Sequence, residues 1–120
     1  MAVERNDDFA FELIDGGEIS IDGSVVPTPY PITEAVKVGE VVVVLYDPDA
    51  DPRRYGTFRN VVALDRGGRQ VWVAETPTTS TGDCSYHIAS AKPLIAYSTQ
   101  SFDCTIDPTS GRITEQVFTK

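Results

Sequence analysis

The sequence predicts an all-β protein built from antiparallel meanders. Short segments of alternating or β-branched apolar residues recur along the chain, and clusters of Gly, Pro or Asp interrupt them about every eight to twelve positions. No segment keeps the period of a long amphipathic helix. The 120 residues are 41% hydrophobic and 23% charged, which is the composition of a globular domain with a single core. We therefore expect one domain over residues 1–120, packed as a sandwich or an open barrel.

The N-terminal part, residues 1–31, is predicted to hold a hairpin and a connector. Phe9–Ile14 and Glu18–Ile21 are apolar-rich segments on either side of Asp15–Gly17, where glycine supplies the positive φ of a tight turn. The connector or sheet edge that follows contains three prolines at alternate positions, which remove backbone donors: Pro27, Pro29 and Pro31.

Residues 32–75 are predicted to form a four-stranded unit. Val41–Tyr46 lacks the alternation of a half-exposed strand, so we expect a central strand with both faces covered. Thr33–Lys37 has the residues for one helical turn, but Gly39 follows too soon for a helix.

The connections of this first unit are rich in turn residues. Asp47–Gly56 consists of turn formers and charged residues, which predicts a protruding loop. Phe58–Leu64 and Arg69–Glu75 then flank Asp65–Gly68, and this pattern is typical of a hairpin.

Residues 83–118 are predicted to form a second four-stranded unit. Its second strand is Leu94–Tyr97, and its last, Arg112–Phe118, follows the turn at Asp107–Gly111. The four-residue offset of Ile113 and Val117 predicts that this last strand is irregular. In the first strand, alternation places Cys84, Tyr86 and Ile88 on the inner face and Asp83, Ser85 and His87 on the solvent side.

An internal repeat connects the two units. Val61–Trp72 and Asp103–Ile113 share an apolar strand, an Asp, a glycine-closed turn, an arginine and another strand. This pattern resembles the third and fourth strands of a blade in quinoprotein-like β-propellers. The resemblance implies two tandem blade-like units, at residues 32–75 and 83–118. Because two units cannot close a propeller ring, they are expected to pack on each other or on another chain. The resemblance implies no cofactor.

Charge and hydropathy exclude several classes of partner. Ten Lys and Arg against eighteen Asp and Glu give a net charge of −8, which repels the phosphates of nucleic acids and the surface of anionic membranes. The longest apolar run, Val41–Leu45, is far shorter than the roughly 20 residues that span a bilayer. We therefore expect a cytoplasmic protein that binds neither nucleic acid nor membrane.

Three alternating carboxylates suggest a calcium loop as one alternative. Asp47, Asp49 and Asp51 have the spacing of an oxygen-ligand loop, and a Ca²⁺-stabilised domain would use them. The loop lacks the Gly at its sixth position and the Glu at its twelfth, where Pro52 and Phe58 stand. A solvated acidic turn is the preferred interpretation, and no metal site is predicted.

The single histidine offers a second alternative, a small hydrolase or ligand-binding protein with a site near His87. Asp83 and Ser85 share the predicted face of His87, and Asp103 and Asp107 of neighbouring strands are further possible partners. Side chains at i and i+2 stand parallel and about 7 Å apart, and the chain has no Gly-x-Ser-x-Gly turn. No catalytic residue is therefore assigned.

Both cysteines are predicted to be buried free thiols. Cys84 and Cys104 fall on apolar faces, and the strand Leu94–Tyr97 is expected to lie between them. Two strand spacings separate the sulfur atoms by about 9 to 10 Å, which exceeds the reach of a disulfide. A reducing compartment is the corresponding expectation.

Three further features receive structural interpretations. The hydroxyl-rich segment Thr76–Asp83 is interpreted as a loop between the units. Gly67–Gly68 has no following helix and is not a phosphate loop. Packing, in preference to a ligand-binding face, is expected for four aromatic residues: Tyr55, Trp72, Tyr86 and Tyr97.

These patterns favour a non-catalytic protein-interaction or structural module. No cofactor loop, metal cluster or paired nucleophile and base is visible, whereas β-meanders commonly offer faces and edges to other proteins. The expected partner is another protein or a second copy of the same chain.

Overall fold

The computed structural model describes residues 9–50 and 56–119, and the strands of these residues form three antiparallel sheets. The N-terminal sheet contains β1 (Phe11–Ile14), β2 (Glu18–Ile21) and β3 (Ser24–Val26). The central sheet contains β4 (Ile32–Val38), β5 (Val41–Tyr46), β6 (Val61–Leu64) and β7 (Gln70–Val73). The C-terminal sheet contains β8 (Ser85–Ala91), β9 (Leu94–Ser98), β10 (Phe102–Ile106) and β11 (Ile113–Phe118).

In each sheet the strands are neighbours in chain order, so all three sheets are meanders. The predicted all-β antiparallel fold is confirmed, with four-stranded sheets where the two units were expected and an N-terminal hairpin that β3 extends. Thr33–Lys37 lies within β4, so its β-branched and apolar residues form a strand and no helical turn. None of the described residues belongs to a helix with the length and hydropathy to cross a membrane.

The central sheet is covered on both faces. Val42 and Val44 of β5 pack with residues of the N-terminal sheet, among them Ile19. Val43 and Leu45 pack with Ile88, Leu94, Ala96 and Ile106 of the C-terminal sheet. All four β5 side chains are 0% exposed, which confirms the prediction from the missing alternation. Burial of a Val or Leu side chain contributes about 1.5–3 kcal/mol, so β5 stabilises both layers together.

The internal repeat corresponds to two similar turns. Asp65 closes the turn between β6 and β7, and its carboxylate accepts a hydrogen bond from Arg69 N at 2.9 Å. Asp107 closes the turn between β10 and β11, and its carboxylate accepts from Thr109 N at 2.9 Å. These backbone donors hold the pKa of both carboxyls below the usual range. A register shift adjoins each turn, so the predicted irregularity of the last strand is observed.

Trp72 links the central and C-terminal sheets at the second of these turns. The indole is buried and its Nε1 donates to the carbonyl of Pro108 at 2.8 Å. Gly111 lies against the ring, and its φ of 79° is in the left-handed region that favours glycine. Trp72 therefore packs between the sheets, as expected, and does not form a ligand face.

The first strand of the second unit departs from the predicted alternation. β8 contains a register shift between Ser85 and His87, so two of its residues oppose one residue of β9. As a result Tyr86, expected inside, is 51% exposed, and Asp83, expected on the solvent side, is 0% exposed. The prediction was wrong at both positions, because the alternation of apolar and polar residues in a sequence does not show where a strand contains a bulge.

Gly111→Ala is expected to destabilise the protein more than Gly23→Ala. Both glycines have positive φ, so both changes introduce left-handed strain of about 1–2 kcal/mol. A Cβ at Gly111 would lie 2.6 Å from Trp72 Cε3, whereas a Cβ at Gly23 meets nothing within 4 Å. Overpacking adds about 1–3 kcal/mol for Gly111→Ala alone. Urea unfolding followed by Trp72 fluorescence measures both losses, and equal losses would contradict the packing described.

Candidate functional site

Side chains fasten β4 of the central sheet to β8 of the C-terminal sheet. Glu34 Oε1 accepts a hydrogen bond from Ile88 N at 2.8 Å, and Glu34 Oε2 lies 3.1 Å from His87 Nδ1. Asn60 is buried, donates to the carbonyls of Tyr46 and Ser85, and accepts from Ser85 N. The bulged edge of β8 is therefore occupied by groups of the same chain.

A second set of contacts fastens β7 to the start of β11. Glu75 Oε1 accepts from Ile113 N at 2.8 Å, and Glu75 N donates to the carbonyl of Gly111. The Arg59 guanidinium donates to the carbonyls of Val73 and Ala74 at the edge of β7. Three of the four lateral edges of the two larger sheets, those formed by β4, β7 and β8, thus carry a side chain that bonds the edge backbone or a bulge that distorts it, and β11 carries both at its start.

The fourth edge, the C-terminal part of β11, is open. Thr119 N donates to Ser101 O, so Thr119 and, two residues earlier, Val117 direct their backbone groups toward β10. Hydrogen-bonded and non-hydrogen-bonded pairs alternate along an antiparallel ladder, so the backbone N–H and C=O groups of Gln116 and Phe118 point away from β10. No described residue bonds these outward N–H groups. Ile113–Phe118 contains neither Pro nor Lys, and its bulge and its one charged residue, Glu115, both lie N-terminal to Gln116.

Exposed apolar side chains accompany this open edge. Val117 and Phe118 are 51% and 58% exposed, and the Phe118 ring lies 5.5 Å from that of Phe102 between centroids. Phe118 is on the same face of the sheet as Gln116, whereas Val117 is on the opposite, outer face. Both faces of the open edge therefore offer apolar surface to a partner strand.

A groove runs beside β11 on the face of Gln116. It has a volume of about 810 Å³, with Ile113 and Gln116 on one side and the loop 76–80 on the other. Asp83, buried behind the loop, accepts hydrogen bonds from Thr78 N, Thr78 Oγ1 and Ser98 Oγ. The segment Thr76–Asp83, predicted as a connecting loop, is therefore held in place as a wall of this groove.

A separate cleft of about 740 Å³ lies at the end of the sandwich. Three hairpin turns surround it, and Leu94 and Ile106 of the core reach its floor. Its apolar lining includes Val71, which is half exposed. Asp107 at its rim is engaged in its own turn. This cleft has the size of a small-molecule site and a mostly apolar lining.

The structure does not bring the candidate catalytic residues together. His87 contacts Glu34 and the ring of Tyr97, while the buried Asp83 bonds Thr78 and Ser98. Asp103 is opposite Tyr97, which in turn is opposite His87, so a whole strand separates the two side chains. The shared solvent face that was predicted for Asp83, Ser85 and His87 is absent, because Asp83 points into the protein.

Of the three carboxylates in the calcium alternative, that of Asp47 has a local role. Asp47 Oδ1 accepts from Asp49 N at 2.9 Å, which closes a turn. Asp51 and Tyr55 lie outside the described residues. Within residues 9–50 and 56–119, no group of three His, Cys, Asp or Glu side chains could hold a metal ion.

Cys84 and Cys104 are buried free thiols, as predicted, with β9 between their strands. Burial raises the pKa of both thiols, that of Cys104 to about 11. At neutral pH both are therefore protonated and behave as small apolar side chains.

Comparison with known proteins assigns the chain to a family. The model of the domain of unknown function DUF7957 matches residues 12–118, so the protein belongs to this family. The match covers β2–β11 completely and all of β1 but its first residue. No curated protein and no solved structure matches the chain.

Sequence reasoning missed the two glutamates and the open edge. Glu34 and Glu75 accept hydrogen bonds from backbone groups 54 and 38 positions away, and no local pattern encodes such contacts. The open edge could have been predicted from the sequence, since the last strand of a meander lies at an edge and this strand contains no Pro or Lys.

Glu34→Ala is expected to lower the free energy of unfolding by about 1–3 kcal/mol, because it leaves the part-buried N–H of Ile88 without an acceptor. His87→Ala removes an exposed contact to the same carboxylate and a ring contact with Tyr97, and it should cost less than about 1 kcal/mol. Glu34→Gln keeps an acceptor oxygen and should restore most of the loss. Urea unfolding of the three variants tests this, and a His87→Ala loss as large as that of Glu34→Ala would refute it.

Proposed function

We propose that the protein is a non-catalytic interaction module that accepts an extended segment of another polypeptide as an additional strand on β11. The open backbone edge at Gln116 and Phe118 is the observation that carries this proposal. Main-chain hydrogen bonds to such an edge supply affinity, and neighbouring pockets supply specificity.

The surroundings of the edge support this function. The groove of about 810 Å³ lies alongside it, so an added strand would place alternate side chains between β11 and the loop 76–80. Threonine and serine hydroxyls of the loop offer donors and acceptors to that strand, and Val117 offers an apolar contact on the outer face.

The protection of the other edges also favours this function. Glu34, Arg59 and Glu75 bond backbone groups at or beside the edges of β8, β7 and the start of β11. Proteins blunt exposed edges that would otherwise aggregate, so an edge left open next to a groove is typical of a binding edge.

The compartment and the family resemblance belong to the same proposal. Two buried free thiols with raised pKa are typical of a protein from a reducing compartment, and we place the module in the cytoplasm on that ground. The resemblance of the two units to propeller blades stays a prediction.

Selection from a random peptide library displayed on phage tests this function. Wild-type protein should enrich peptides rich in β-branched and aromatic residues. Gln116→Pro should lose this enrichment, because proline removes an outward N–H donor from the edge. It leaves the hydrogen bonds between β10 and β11 intact, since the N–H of residue 116 does not bond β10. Gln116→Thr keeps the N–H and serves as the matched control.

Circular dichroism must show equal folding of the three proteins. Enrichment by Gln116→Pro equal to that of wild type, or no enrichment by wild type, would contradict strand addition at β11.

A further inference from the structure

We propose that the cleft at the end of the sandwich binds an uncharged, largely apolar small molecule. The cleft is separate from the groove and the open edge of β11, so this inference goes beyond the proposed function. Its volume of about 740 Å³ lies within the range of about 300–1,000 Å³ that is usual for small-molecule sites in proteins.

The floor of the cleft belongs to the core between the two larger sheets. Leu94 and Ile106 are each 2% exposed and pack in the same apolar cluster as Val43. Val38 of β4 and Val41 of β5 are partly buried against this cluster and also line the cleft. An apolar molecule bound here extends the core, and burial of its surface stabilises the complex by about 25 cal/mol for each Å² removed from water.

The walls of the cleft include equivalent positions of the internal repeat. Val71 lies at the register shift of β7, and Thr114 lies at the register shift of β11. Val71 and Thr114 have the same separation along the chain as the repeated glycines Gly68 and Gly111. Both bulge residues line the cleft. Bulges re-aim side chains and are over-represented beside functional sites, so the two repeated hairpins together form the cleft as a built feature of the fold.

Val71 keeps an apolar side chain in contact with water at this cleft. It is 50% exposed, although the next residue, Trp72, is buried. Trp72 Nε1 donates to the carbonyl of Pro108, and Pro108 also lines the cleft. The indole therefore lies behind the wall, and a ligand that covers Val71 removes apolar surface from water without displacing the packing of Trp72.

The polar groups of the turn beside the cleft bond each other. The Asp107 carboxylate accepts from Thr109 N and Thr109 Oγ1, and Gly111 N donates to the carbonyl of Asp107. Thr114 Oγ1 donates to the carbonyl of Thr105 at 3.3 Å. An apolar ligand leaves all of these hydrogen bonds in place, so its binding does not leave these groups buried without a partner.

The charges at the rim favour an uncharged molecule. Four charged residues line the cleft, two cations and two anions: Lys37, Glu40, Lys92 and Asp107. Transfer of an ion from water to the apolar floor is costly, and a rim without net charge does not offset that cost. The net charge of −8 on the chain repels an anionic ligand in addition.

Binding of Prodan, an uncharged naphthalene ketone, to the full chain tests the proposal. Wild type should bind an equimolar amount, with a blue shift of the dye emission and energy transfer from Trp72, the one tryptophan of the chain. Val71→Asn should raise the dissociation constant about fivefold, because it removes an apolar contact from the cleft wall.

Two control variants should leave the dissociation constant of Prodan unchanged. Val25→Asn is matched to Val71→Asn, because Val25 is 55% exposed and belongs to β3, outside the lining of the cleft. Gln116→Pro alters the edge of β11 and separates the cleft from the proposed peptide site. Circular dichroism must show equal folding of all four proteins.

A wild-type protein that does not bind Prodan overturns the proposal, as do equal dissociation constants for Val71→Asn and Val25→Asn. Loss of Prodan binding in Gln116→Pro overturns it too, because the dye then binds at the edge of β11. The isosteric pair 2-naphthamide and 2-naphthoate tests the chemical class. The uncharged amide should displace Prodan at the lower concentration, and displacement at a lower concentration by the carboxylate contradicts an uncharged ligand.

Discussion

The structure depends on the burial of β5 from both sides. Its valines and Leu45 alternate between two apolar clusters, so one strand supplies core residues to the N-terminal sheet and to the C-terminal sheet. A chain of this length buries only about two-thirds of its unfolded surface, and two shared cores concentrate that burial on the central sheet. The outer layers are stable because the middle layer has no solvent-exposed face at β5.

Hydrogen bonds as well as apolar packing join the two larger sheets. Glu34, Asn60 and Glu75 each bond backbone groups of the C-terminal sheet from positions in the central sheet or beside it. These bonds fix the lateral position of one sheet on the other and satisfy donors at the bulges of the edge strands. They also occupy backbone N–H groups at the edge of β8 and at the start of β11. In the rest of β11, the outward N–H groups of Gln116 and Phe118 have no bond among the described residues.

The sequence predicts the strands well where a local rule governs them. The unbroken apolar run of β5, the glycine-closed turns and the prolines after β3 each have a direct structural meaning, and the structure agrees with all three. The predicted alternation of β8 was wrong because a bulge inserts one residue, which moved Tyr86 outward and left Asp83 inside. The layer order depends on which face of β5 each outer sheet covers, and a run without alternation contains no information on that choice.

The candidate site is less predictable than the fold for a physical reason. A strand edge is defined by backbone groups that lack a partner, so its residues need no special chemistry, and Gln116 has none that singles it out. Histidine and aspartate are the residues for which sequence alone suggests a catalytic role. In this structure His87 contacts Glu34, and Asp83 holds a loop by hydrogen bonds to Thr78. The geometry of the sheet, and not residue type, identifies the candidate binding edge.

Native-state amide hydrogen exchange tests the central role of β5 most directly. The amide groups of Val42–Leu45 should exchange only through global unfolding, with an exchange free energy equal to the free energy of unfolding measured with urea. Exchange of these amides as fast as that of the edge strands β3 and β7 would contradict the account, because the central sheet would then not be the common core of the three layers.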